Sequence, residues 1–560
     1  MSGASSSSAP PALVDAPRLR RAARSEYRRL EAATGMPPRT HTGVRVQRDL
    51  RVPATDGAAL LTDHWFAEDA GEATILIRTP YGRRGMAAVA TFFAERGHHV
   101  VIQSVRGTFG SGGWFYPLRH EAADGQATMA WLRAQPWSTG PVISWGFSYA
   151  GTTQWALCEG PHRPDALIVG LSARSIDRAM IYAGGGFSME TAVTWAYALD
   201  MQERPLIVRL WKLLRAKSRI SRGSLAVPPE TAVRVATGAR AGFFPDWLAH
   251  SGPDDAWWQP MRFASDARAV PTVTVIAGWH DLFLAGGVGD YQALHAAGRP
   301  VRLIVGDWTH DGPDAGVHAV REALRRLSDP VALATESPVR VEVGGDGGWR
   351  DLAAWPPLTT GDRWLLAPGD RLDPVTATHA GSSEDTVAYT YDPAHPTPQG
   401  GGRSLNPFTS GRRDQRDRER RADVLVFTGT PLPHDTVIAG EATVDLTFTS
   451  TNPRVDFFLR LCDVDVQGRA RTITDVYRRM DAVGAVSDRR SVRLTLSPTA
   501  YRVAAGHRLR LQVSSGAHPL HLRNSGTADP LHDFGRLVPS AQRIVLGGAR
   551  PSQLTVPVAE

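Results

Sequence analysis

From about residue 44 to residue 170 the chain alternates short, β-branched apolar runs with longer stretches that are apolar at helical spacing. This is the pattern of parallel strands buried on both faces and joined by helices. Residues 74–77 (TILI) are one such run, and Val142 and Ile143 end another. The pattern returns at residues 272–278 (TVTVIAG, bounded by Pro271) and 301–306 (VRLIVG), and it ends near Pro357. Between residues 171 and 266 the alternation stops and the text turns helical and aromatic, with Trp195, Trp211, Trp247, Trp257 and Trp258. Past residue 358, short alternating runs separated by Gly, Pro and Asp predict a β-sandwich, with strands at 363–366, 424–428, 442–450, 455–464, 491–496 and 508–514. Upstream, residues 1–14 are Ser, Ala and Pro and predict a disordered tail, while residues 16–33 carry Arg and Glu at helical spacing. The expected organisation is a tail and surface helix over 1–40 and an α/β unit from 41–170 and 267–357. A helical insertion over 171–266 and a β-sandwich over 358–560 complete it.

The candidate chemistry sits where the predicted strands end. In PVISWGFSYAGTTQWALCEG (residues 141–160), Ser148 falls on a tight turn between an apolar strand and a helical run, flanked by Gly146 and Gly151. That is the layout of a nucleophile elbow, with Ala150 standing where the common pattern has glycine. A short Gly-Ser turn arises easily by chance, so its context decides. A serine hydrolase of this layout needs an acid and then a histidine, each after a later strand, because the hydroxyl must lose its proton to an imidazole that a carboxylate orients. Asp281 follows the 272–278 run and His310 follows the 301–306 run. His280, His295 and His318 are rival bases, and Asp290 and Asp307 rival acids.

Seven blocks in order carry a resemblance over nearly the whole chain from about residue 45. They are RTPYGRRG (78–85), VIQSVRGTFGSGGWFYP (101–117), WGFSYAG (145–151), GWHDLF (278–283), GDWTHDG (306–312), GGWRDLAAWPP (347–357) and DQRDRERRADVLVFTGTPL (414–432). Together they resemble the α/β-hydrolase group of cocaine esterases, X-Pro dipeptidyl-peptidases and α-amino-acid ester hydrolases. The resemblance implies an α/β-hydrolase fold with a helical cap insertion and a C-terminal jelly roll without catalytic residues of its own. It places nucleophile, acid and base on Ser148, Asp281 and His310. It also implies that the Tyr81 phenol serves the oxyanion hole beside the backbone N–H of Tyr149. Tyr81 lies in the Thr79–Gly82 loop after the TILI run, where other hydrolases keep an oxyanion-hole donor.

Composition narrows the partners. With 560 residues and 42% apolar content the chain can build more than one core. Its formal charge of +7 comes almost wholly from arginine, Lys212 and Lys217 being its two lysines. The one dense run, residues 412–421, alternates with Asp414, Asp417 and Glu419, which predicts a solvated loop or strand edge and argues against a nucleic-acid stripe. Cys158 and Cys462 fit no metal-ligand or C-x-x-C spacing and are expected reduced. The N-terminal residues lack the basic and apolar regions of a secretory signal, and no apolar run reaches membrane-spanning length, so a cytoplasmic protein is expected.

The expected activity is therefore cleavage of a small-molecule ester or amide through an acyl-enzyme on Ser148, with no cofactor or metal. An acyltransferase or cyclase with an alcohol or amine acceptor is the first alternative and an X-Pro dipeptidyl-peptidase the second. Glu190 and Asp200, in the cap, are candidate amine-binding acids, and the cap aromatics are candidates for the acyl pocket or for the cap's own core. A homodimer is left open.

Overall fold

The structure is a computed structural model that describes residues 13–252, 254–329, 337–375, 384–481 and 488–559. Eleven strands form one sheet: β1 (Leu13–Asp15), β2 (Arg45–Pro53), β3 (Ala59–Phe66), β4 (Thr74–Thr79), β5 (His99–Ser104), β6 (Val142–Phe147), β7 (Ala166–Gly170), β8 (Thr272–His280), β9 (Val301–Thr309), β10 (Val339–Val343) and β11 (Gly348–Leu352). Their order is β1-β2-β3-β5-β4-β6-β7-β8-β9-β10-β11. The seven strands from β5 to β10 along that path are mutually parallel, and β1–β3 and β11 flank them antiparallel.

The apolar runs are continuous because both faces of the sheet are covered. Side chains alternate along a strand, so Ile75, Ile77, Ile143, Ile168, Ile276 and Ile304 point to one face. There they meet α1 (Arg21–Ala32), α2 (Ala87–Ala94) and α10 (Pro313–Ser328) through Leu30, Phe93 and Val320. Their neighbours Leu76, Leu167, Val169 and Val275 point to the other face, toward α3 (Glu121–Arg133), α4 (Tyr149–Ala156) and α9 (Leu284–Ala296). Between β7 and β8 the chain is helical, with α5 (Met189–Gln202), α6 (Leu206–Ser224), α7 (Ala232–Thr237) and α8 (Phe243–Ala249).

After β11 the described chain is β-rich, and its described strand pairs are antiparallel except the Arg371–Thr428 pair; an isolated bridge between Pro398 and His518 is also parallel. The six predicted runs lie in strands Thr359–Ala367, Leu425–Thr428, Thr443–Ser450, Arg454–Val464, Arg490–Thr495 and Arg508–Ser514. They enclose a core of their own around Trp364, Phe448, Phe457 and Leu511.

Two expectations change. The predicted tail reaches too far: Leu13 and Val14 belong to β1 and pair with Gln47 and Val46, while residues 1–12 lie outside the described residues. The arginine run is not simply solvated either. Arg418 is buried with its guanidinium 4.9 Å from the Phe458 ring centre, donating to Pro398 O and Ser514 Oγ, because the loop folds back over the sandwich.

Candidate active site

Ser148 stands between β6 and α4 with φ 56° and ψ −127°, a left-handed conformation that lifts its hydroxyl above the sheet. The flanking glycines are there for space. A Cβ on Gly146 would lie 2.5 Å from Ala150 O, and one on Gly151 would lie 2.5 Å from Ser172 Cβ. Ala150 fits where the common pattern has glycine because the close approach to β7 has moved one residue along, to Gly151.

Strands β8 and β9 run further than predicted, through His280 and Thr309, so that Asp281 and His310 leave the sheet at adjacent strand ends. Asp281 is fully buried. One of its carboxylate oxygens accepts the Phe283 N–H at 2.8 Å, and the other lies 2.6 Å from His310 Nδ1. That contact fixes the Nδ1–H tautomer and leaves Nε2 as the basic nitrogen. Burial opposes the charged imidazole, but the Asp281 carboxylate, with Asp311 behind it, outweighs burial and holds the His310 pKa above its ordinary value.

Tyr81 sits just past β4, its backbone N–H bonded to Thr79 Oγ1 at 3.1 Å. Burial pushes the phenol pKa up, and contacts with Trp195, the Ser148 side chain and the Tyr149 N–H partly offset the rise, so the group stays protonated. The Tyr149 side chain points elsewhere: its hydroxyl accepts Leu118 N–H at 2.8 Å and donates to Glu121 Oε1 at 2.9 Å, and Glu121 pairs with Arg78 at 3.1 Å. Only the Tyr149 backbone is left to face the serine.

Tyr81, Ser148, Tyr149 and His310 line one cavity of about 320 Å³. Its remaining wall is almost entirely apolar, with Ile176, Met180, Trp195, Trp247, Leu282, Phe283 and Leu405; Thr194 and Asp311 add the other polar side chains. Of the five cap tryptophans, Trp195 and Trp247 line the cavity. Trp258 is buried with its N–H on His250 O, Trp257 stacks on His250, and Trp211 lies exposed on α6.

The rival residues are engaged elsewhere. His280 binds Asp307 at 3.0 Å, and burial pushes its pKa down to about 3. His295 stacks on Tyr291, His318 lies against Trp308 and Trp349, and Asp290 pairs with Arg174 at 2.8 Å. Neither candidate amine-binding acid lines the cavity. Glu190 accepts from Ser404 Oγ and Asn406 Nδ2, each at 2.9 Å, and Asp200 pairs with Lys212 at 2.6 Å. Sequence reasoning missed Leu405, which reaches the cavity from the β-rich region, and the Trp195 N–H, which reaches Tyr81. Both are contacts between distant stretches with no local signal.

Comparison with known proteins bears on the family. Residues 56–312 match the X-Pro dipeptidyl-peptidase (S15 family), and residues 332–555 match the X-Pro dipeptidyl-peptidase C-terminal non-catalytic domain. The cocaine esterase of Rhodococcus sp. (strain MB1 Bresler) is 28% identical, covering 92% of this chain and 98% of that protein. An aminopeptidase from a marine sediment Thaumarchaeota archaeon superposes with a TM-score of 0.79 at 20% identity, over 95% of this chain and 99% of the other. An α-amino acid ester hydrolase does so with a TM-score of 0.74 at 21% identity, over 94% and 99%. No helix among the described residues is long and apolar enough to cross a membrane. With an elbow serine beneath an apolar cavity and matches that together run from residue 56 to residue 555, the chain belongs to the cocaine-esterase and X-Pro dipeptidyl-peptidase family of α/β-hydrolases and is a serine hydrolase of ester bonds.

Proposed function

We propose that Ser148 is the nucleophile, His310 its general base and Asp281 the acid that orients the imidazole. The Tyr81 phenol and the Tyr149 N–H are the oxyanion-hole donors. The observation that carries this is the 2.6 Å contact between His310 Nδ1 and Asp281 beside a cavity that also holds Ser148 and Tyr81. His310 takes the Ser148 proton as the oxygen attacks the ester carbonyl, and the new oxyanion is held by the phenol and the amide N–H. His310 then returns the proton to the leaving alcohol, and water repeats the sequence on the acyl-enzyme.

The substrate class follows from the cavity wall. Apolar side chains favour an uncharged acyl group, and an X-Pro substrate would bring an ammonium that needs a carboxylate. Glu190 and Asp200 are turned away, and Asp311, beside the base, is the cavity's one carboxylate among the described residues. Esters of apolar acids are therefore favoured over X-Pro amides. A panel of aryl esters, α-amino esters and X-Pro anilides tests this with Ser148→Ala as the blank: turnover of the aryl esters supports the reading, and a preference for the anilides overturns it. An alcohol or amine added to the same assay reports acyl transfer directly.

We further propose, independently of the catalytic reading, that the exposed face of α6 meets a second copy of the chain and that the protein is cytoplasmic. Leu206, Ile207, Leu210, Leu213 and Leu214 all stand out to solvent, Leu214 at 87%. An antiparallel pairing about Leu210 sets Leu206 against Leu214 and Ile207 against Leu213, and it brings the exposed Glu203 against the exposed Lys217. Cys158 and Cys462 are buried and unbonded, which suits a reducing compartment.

A further inference from the structure

Trp195 Nε1 donates to Tyr81 Oη at 3.2 Å, joining the cap to the loop after β4 across 114 residues of chain. The indole lies nearly parallel to two rings, Tyr149 at 5.8 Å and 19° and Trp247 at 5.8 Å and 6°, and Phe243 packs tilted against it at 5.5 Å. Its plane is thereby fixed, and so is the direction of its N–H. The helix that carries it, α5, is tied down at both ends. At the start, Glu190 holds Ser404 and Asn406, and its backbone N–H bonds Pro519 O at 2.9 Å. At the end, Gln202 Nε2 bonds Pro80 O at 3.0 Å, on the carbonyl just before Tyr81. The cap thus grips the Tyr81 turn twice, once on its backbone and once on its phenol oxygen.

A phenol oxygen accepts through its lone pairs and donates through one O–H. An N–H seated on the acceptor side turns the O–H away from the indole, and it draws electron density from the oxygen. As negative charge gathers on the substrate oxygen in the transition state, the Tyr81 O–H bond polarises and the Trp195 bond strengthens with it, as linked hydrogen bonds do. The gain is larger in the transition state than in the bound substrate, so it falls on kcat.

We propose that Trp195 is a positioning residue for the oxyanion hole, acting through the Tyr81 hydroxyl, and that α5 and Gln202 serve the same end. The proposal rests on the reading of Tyr81 as an oxyanion donor. Its test is a double-mutant cycle on an aryl ester. Trp195→Phe keeps an aromatic ring in the stack and removes the N–H. Its kcat is expected to fall roughly five- to tenfold, the size of one hydrogen bond, with KM little changed. In a Tyr81→Phe background, where no O–H remains to be aimed, Trp195→Phe should change kcat no further. Gln202→Met should lower kcat in the same coupled way, and it carries the test if circular dichroism shows that Trp195→Phe disturbs the fold.

Independent losses in the two backgrounds, or a raised KM with kcat kept, would make Trp195 part of the acyl wall only and overturn the proposal. Full turnover by Tyr81→Phe alone would remove the phenol from the oxyanion hole, and the role of Trp195 would fall with it. The two failures are read from different arms of the cycle.

Discussion

Tyr81 is the residue on which family resemblance and local chemistry diverge most. Read as a sequence, it is an aromatic in a Pro-Gly turn, and only the resemblance assigned it a role; in the structure its hydroxyl faces the Ser148 side chain and the Tyr149 N–H. Tyr81→Phe should cost about 100- to 1,000-fold in kcat, or about 3–4 kcal/mol of barrier, because a preorganised donor in a water-poor site is worth far more than a surface hydrogen bond. KM should move little. A ring that merely filled the turn would leave kcat unchanged in this variant. His310 supports a second prediction. Its neutral form is the active base, and the nearby carboxylates raise its pKa, so the rise of kcat/KM with pH should have its midpoint above the roughly 6.5 of a free imidazole. Asp281→Asn removes the charge that raises it: the midpoint should drop, and turnover should fall about 10⁴-fold as the tautomer is lost. A midpoint unmoved by that substitution would contradict the assignment. At this scale the candidates Ser148, Asp281 and His310 were legible, since each lies within a few residues of an apolar, β-branched run that announces a strand. Leu405 and the Trp195 N–H were not, since each meets the cavity through a tertiary contact that leaves no local pattern.

At the scale of elements, the elbow depends on two close approaches. Gly146→Ala would place a methyl 2.5 Å from Ala150 O, a backbone atom that can yield only if the first turn of α4 moves. Overpacking of this kind costs about 1–3 kcal/mol, and here the shift would carry Ser148 with it. Activity should fall far more than the melting temperature suggests, measured as kcat beside a thermal melt. A silent Gly146→Ala would show that the elbow has room. The strands of the parallel sheet were legible because burial on both faces leaves an unbroken apolar run. Their ends were not: polar or aromatic residues such as Trp279 and His280 continue β8, where neighbouring β9 supplies the pairing that the side chains do not announce. The arginine run misled for a related reason, since the ring of Phe458 and the carbonyl of Pro398 that receive Arg418 are supplied from elsewhere in the chain.

At the scale of the whole molecule, the cavity is built by three stretches far apart in sequence: the strand-end loops, the helices between β7 and β8, and the β-rich C-terminal region through Leu405. That region matches a domain described as non-catalytic, yet it contributes Leu405 to the cavity wall. The exposed face of α6 gives a prediction for assembly. Leu210→Glu or Leu214→Glu, placed on the proposed twofold contact, should convert a dimer to a monomer in sedimentation or light scattering while leaving the active site intact. A parent that sediments as a monomer at all concentrations would rule the contact out. The most direct test of the central claim is chemical. The enzyme should be mixed with an excess of an aryl ester, quenched in acid within milliseconds, digested, and analysed by mass spectrometry for the acyl group. The acyl mass is expected on the peptide carrying Ser148, appearing in a burst in the parent, absent from Ser148→Ala, and formed slowly or not at all in His310→Ala. Acylation of another residue, or a parent that turns over ester without any acylated Ser148, would contradict it.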